Sequence, residues 1–128
     1  AYDAVHFGCR RDEFLRRWIS QPHARSYGIY QGGALWGMGV IRECGVGYKI
    51  GPLFADDAGL ADRLFAALNR HVVGQPIYLD IPEANPTAVS LARRHSMREV
   101  FGCARMYHGP APAVPLAKTF GVTTFELG

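Results

Sequence analysis

The run from Tyr48 to Ile81 constrains the fold most, because it sets a helix between two strands with short links. Tyr48 to Ala55 reads as a strand. In the next stretch Leu60, Ala61, Leu64, Phe65, Leu68 and Val72 share one helical face, which predicts a helix over Gly59 to Val72 closed by Gly74. Pro76 to Ile81 is a short strand, with Ile77, Leu79 and Ile81 alternating with Tyr78 and Asp80. Strand–helix–strand with short links implies a crossover unit, and helices covering a partly parallel sheet.

The flanks complete the pattern. Phe14, Leu15, Trp18 and Ile19 mark an amphipathic helix over Asp12 to Ser20, stopped near Gln21-Pro22 because proline disfavours helix in the residue before it. Ser26 to Tyr30 and Ala34 to Arg42 flank Gln31-Gly32-Gly33 and read as a hairpin. A second turn, Cys44-Gly45-Val46-Gly47, leads into the strand at Tyr48. Gly51-Pro52 inside that strand marks an edge, a bulge or a break, since proline cannot donate to a sheet ladder. Asn85-Pro86 opens a second helix whose inner face is Ala88, Leu91 and Ala92 and whose end lies near His95-Ser96. Glu99 to Tyr107 reads as a strand, Gly109 to Pro115 as a loop and Gly121 to Leu127 as the last strand, while Ala1 to Gly8 shows no clear period. The expectation is one α/β domain over residues 1–128, with no linker or internal repeat to suggest a second.

Composition excludes several classes. Hydrophobic residues at 48% and charged residues at 20% describe a globular chain and not a disordered one. The net charge of +3 is small and scattered, with no basic stripe for nucleic acid, and Arg10, Arg11, Arg16 and Arg17 read as the solvated face of a helix. Cys9, Cys44 and Cys103 are odd in number and lack a CxxC spacing, so neither a disulfide framework nor a zinc site is expected and a cytoplasmic setting fits. No apolar run is long enough to span a membrane, and no secretory leader is read. The chain begins at Ala1 without a methionine, so the expectation is a processed or excised piece of something longer.

The order of elements from Tyr27 to Leu127 resembles the GNAT acetyltransferase superfamily: an antiparallel meander, a crossover helix, a central parallel strand pair, a second helix and terminal strands. The runs from Gly47 to Asp57 and Leu79 to Asn85, with Arg105-Met106-Tyr107, are similar to the C-terminal part of two-domain members of the YitH-like kind. The resemblance implies a mixed sheet with flanking helices and acetyl-CoA as co-substrate. In that family a Gln/Arg-x-x-Gly-x-Gly/Ala loop and the helix it opens hold the coenzyme A pyrophosphate, since a helix start offers unpaired N–H donors to an anion. The matching segment here is Asp56-Asp57-Ala58-Gly59-Leu60-Ala61; Gly59 and Ala61 keep the small positions, and Asp56 replaces the usual glutamine or arginine. The two aspartates either cap the helix and repel a phosphate or turn outward and leave the cradle free.

The family's fourth and fifth strands splay to admit the pantetheine arm, and a bulge frees a backbone N–H for the thioester oxygen, in the manner of an oxyanion hole. By resemblance the donor falls on Leu53, Phe54 or Ala55, after Pro52. Gly59, Leu60, Ala61 and Asn85 complete the implied cofactor-binding set. The family's helix pattern Asn-x-x-Ala-x-x-Leu-Tyr is matched at Asn85, Ala88 and Leu91, but Ala92 stands where the acidic tyrosine would be. Tyr107, His108 and His95 are candidates to replace that acid, and Cys103 reads as a small hydrophobe. Asp80, at the end of a strand in the parallel pair, is the candidate base, with Glu83 as an outer alternative.

Two functions follow. The first is an N-acetyltransferase moving acetyl from acetyl-CoA to a small-molecule amine, with Asp80 and Tyr107 as catalytic candidates and no metal. The alternative is a non-catalytic companion domain beside a catalytic one, or an acyl-CoA or metabolite sensor. No nucleic-acid or membrane partner is expected; a second domain of the same fold, or a homodimer, is.

Overall fold

The computed structural model describes residues 2–127; Ala1, at which the sequence reading begins, and Gly128 lie outside them. Two short helices come first, α1 (Tyr2–Phe7) and α2 (Asp12–Ile19), followed by strands β1 (Ala24–Gln31), β2 (Ala34–Glu43) and β3 (Tyr48–Ala55). Helix α3 (Ala58–Asn69), strand β4 (Ile77–Leu79) and helix α4 (Pro86–Arg94) form the crossover half, and a 3-10 turn at Leu116–Lys118 leads into β5 (Thr119–Gly121).

The β1–β2 turn is made by Gly32 and Gly33, both at positive φ (56° and 79°), the backbone that glycine adopts without strain. β1, β2 and β3 form an antiparallel meander, and β3 pairs in parallel with β4 through Tyr48, Lys49 and Ile50. The sheet is thus mixed, as the crossover pattern predicts. Gly51-Pro52 lies mid-strand in β3, beside a break in the β2–β3 register between Gly39 and Ile41.

Both faces of the sheet are covered, which is why β3 is buried without interruption from Ile50 to Ala55. On one face α3 lays Leu60, Ala61, Leu64, Phe65 and Leu68 against Ile41, Ile50, Leu53 and Ala55. Gly37 and Gly39 permit this close approach, since a Cβ on either would stand about 3 Å from the Leu64 or Leu68 side chain. The opposite face receives α1 and α2: the His6 ring stacks on Phe54 at 4.6 Å, and Trp18 donates Nε1–H to the Gly51 carbonyl at 2.9 Å.

Helices α2, α3 and α4 and strands β1 to β4 lie where the sequence places them, within a few residues. Three segments differ. Tyr2–Phe7 is helical although six residues give too few turns to show a period. The stretch Glu99–Tyr107, read as a strand, is exposed and unpaired; β4 is three residues long and offers it little edge. The last strand falls at Thr119–Gly121 and not at Gly121–Leu127, because Phe120 enters the core and draws its neighbours onto β3.

Candidate functional site

β3 and β4 pair only at their first three residues, after which the edge of β3 is free of β4. That gap is filled by the chain itself. β5 lies antiparallel along the second half of β3, Gly121 beside Leu53 and Thr119 beside Phe54. The strand is wedged on its other side as well: a Cβ on Gly121 would stand 2.5 Å from the Leu79 side chain of β4 and 3.3 Å from Leu53 Cβ. Beyond β5 the chain crosses Gly51 so closely that a Cβ there would collide with the carbonyl oxygens of Val122 and Thr123.

Several of the candidate residues hold this segment. Asn85 caps α4, its Oδ1 accepting from Thr87 N at 3.1 Å and Ala88 N at 3.4 Å, while its Nδ2 donates to the Thr119 carbonyl at 2.9 Å and to that of Ala117 at 3.3 Å. Asp80 is buried and ion-paired with Lys49 at 2.5 Å; its Oδ2 accepts from Phe125 N and its carbonyl from Val122 N. Leu53, Phe54 and Ala55 are fully enclosed, the first two as ladder partners of β5. The structure therefore gathers Leu53, Phe54, Asp80 and Asn85 around one strand of the chain.

The start of α3 is also occupied from within. Asp57 is the cap, its Oδ1 accepting from Leu60 N at 2.8 Å, so one of the donors open to an anion is already used. A Cβ on Gly59 would come 3.2 Å from that same Asp57 oxygen. Ala61 is buried in the core, its N–H on the Asp57 carbonyl. Asp56 accepts from Lys118 Nζ at 3.0 Å and from the Tyr2 hydroxyl at 2.9 Å. Asp62 meets Arg94 and His95, so the acidic cluster near α3 is answered by cations or by a cap.

Tyr107 stands apart from these groups. It sits 45% exposed on the unpaired stretch, with the Arg105 guanidinium 5.3 Å from its ring centroid. His95 caps the end of α4 and packs on Phe65 at 4.2 Å, and His108 is exposed. Among the described residues, no group of three or more His, Cys, Asp or Glu could hold a metal ion.

Sequence reasoning missed the cluster around Asp56. Tyr2, His6 and Lys118 lie 54, 50 and 62 positions from it, and no local pattern links them. Burial works to raise the Asp56 carboxyl, but the Lys118 and Tyr2 hydrogen bonds outweigh it and hold the group below its ordinary range. Tyr2 is raised by burial and by Asp56. His6 is lowered chiefly by burial, against its bond to the Tyr2 carbonyl and the charges of Asp56 and Asp3; its Nε2 is buried without a partner among the described residues. A histidine held neutral in the native state contributes stability above its unfolded value of about 6.5, and loses it as pH falls toward the folded value. Asp56 adds to this at lower pH, its contribution being lost as pH falls through its depressed value. Stability is therefore expected to drop between pH 7.5 and 5, and His6→Phe to flatten that drop. Urea midpoints across that range decide it: equal slopes in the two proteins would mean that His6 does not titrate with unfolding.

No helix of the described residues is long and apolar enough to cross a membrane. The family model described as an acetyltransferase (GNAT) domain matches residues 1–121. A holothin acyltransferase of Pseudoalteromonas sp. (strain SANK 73390) is 28% identical over 128 residues, covering 99% of this chain and 44% of its own length. The crystal structure of a Pyrococcus horikoshii protein, assigned provisionally as an acetyltransferase, superposes with a TM-score of 0.78 at 24% identity, over 98% of this chain and 41% of that one. The chain thus spans less than half the length of each relative.

Proposed function

The chain belongs to the GNAT family of acetyltransferase domains, and from that membership we propose that it serves acyl transfer as a supporting domain whose own thioester cleft is closed. The reaction proposed for the intact enzyme is transfer of an acetyl group from acetyl-CoA to an amine, with the thioester bound on a partner domain. One observation carries this reading: β5 takes the β3 edge at Leu53 and Phe54, where the family's pantetheine arm would pair. The residues present do not fit coenzyme A here, because two strands cannot use one edge and because Asp57 already caps α3. The carboxylates of Asp56 and Asp57 at that helix start would also repel a pyrophosphate.

Within this role the chain's polar residues have structural work. Asn85 and Asp80 fix β5 and the turn after it, and Lys118 closes the end of the cleft onto Asp56. Asp80 is salt-bridged to Lys49 and tied to the segment after β5, which gives it a structural part in this role.

Titration calorimetry with acetyl-CoA tests the proposal. The folded chain is expected to give no binding heat up to millimolar ligand. Micromolar binding that Gly59→Arg abolishes would overturn it, and would make this domain the catalytic one.

A further inference from the structure

After α4 the chain leaves the core. From Arg98 to Ala111 it makes no hydrogen bond, backbone or side-chain, among the described residues. The same stretch exposes several apolar side chains close together: Val100 is 69% exposed, Phe101 70% and Met106 86%. Among the described residues its one ring contact outside the stretch is Phe101 on Phe125, at 5.9 Å. An extended run with free backbone donors and acceptors is a template for another strand. Glu99 to Tyr107 also lacks the proline and lysine that commonly blunt such an edge.

We propose that residues 99–107 pair with the same residues of a second copy of this chain, as an antiparallel ribbon centred on Cys103. The run is complementary to itself in that register. Val100 falls opposite Met106, Gly102 opposite Ala104, and Phe101 opposite Arg105, so that apolar groups meet and each guanidinium lies over a ring. Glu99 faces Tyr107, and no like charges are opposed. Moving the centre to Gly102 would need Met97 opposite Tyr107, and Met97 is packed against the core. A two-fold contact of this kind is self-limiting, which suits a surface that would otherwise recruit strands without end. This inference does not depend on whether the cleft around β5 is closed.

The register makes the test specific. Residues directly opposed in an antiparallel pair have Cα atoms about 4.5–5.5 Å apart, within the range a disulfide bridges. Sedimentation velocity at tens of micromolar under reductant is expected to show a dimer. The double variant Phe101→Asp, Met106→Asp should raise its dissociation constant about thirty-fold or more, with circular dichroism unchanged. Mild oxidation should give a covalent dimer in the parent chain and in Cys9→Ser, but not in Cys103→Ser. A chain that stays monomeric, a dimer indifferent to the double variant, or a cross-link that survives Cys103→Ser would each overturn the proposal.

Discussion

Replacing Phe120 with alanine is expected to destabilise the chain by about 3–5 kcal/mol, the usual cost of emptying a buried aromatic site. Phe120 is 1% exposed and belongs to the same cluster as Leu53, Leu64 and Leu91. β5 is only three residues long, so its hydrogen bonds alone would not hold it; the side chain does. A loss of this size is a large share of the 5–15 kcal/mol that typically separates folded from unfolded states. Urea unfolding should show a lowered midpoint with little change in slope. The functional consequence is equally direct. If Phe120→Ala cost less than about 1 kcal/mol, β5 would be loosely seated, and the β3 edge would be open to a thioester in this chain.

Arg11→Met is the second large effect. Arg11 grips the Asp3 carboxylate through Nε and Nη2, both at 2.7 Å, and Nη2 also donates to Thr123 Oγ1 at 2.9 Å. The guanidinium lies 3.7 Å from the centroid of the Phe7 ring and 5.0 Å from that of Phe14. Both charged side chains are nearly inaccessible, so removing the cation strands a buried carboxylate, at a cost of about 3–5 kcal/mol. Asp3→Asn in a double-mutant cycle separates the pair from general disruption, since a coupling above about 1 kcal/mol belongs to the contact itself. Additive losses would mean that the two residues act independently. The contact joins α1 and the start of α2 to the segment that follows β5.

Much of the architecture follows from local pattern. The apolar face of α3, the Gly32-Gly33 turn and the Asn85-Pro86 helix start each reflect interactions within a dozen residues, where side-chain periodicity and backbone preference suffice. The similarity of Gly59, Ala61, Asn85, Ala88 and Leu91 to the GNAT pattern was legible for the same reason. So was the conflict at Asp56 and Asp57, where carboxylates replace a phosphate-binding residue. The cap at Asp57 is also a local matter, one side chain reaching a donor three residues on.

The state of the cleft was not legible. Gly121 was readable as a strand residue, but which edge it meets depends on Leu53 and Leu79, far away in the chain and brought together only by packing. The contacts of Asp80 with Lys49 and Phe125 N were likewise invisible in the sequence, because both partners are distant in the chain. Glu99–Tyr107 has the composition of a strand, yet a strand exists only where a partner edge does, and it pairs with none among the described residues. Sequence alone determined α2, α3, α4 and strands β1 to β4, and the family to which their order belongs, because those depend on neighbours along the chain. Only the tertiary structure decided that β5 closes the gap between β3 and β4, because occupancy of a sheet edge is a competition among distant segments, settled here by the burial of Phe120.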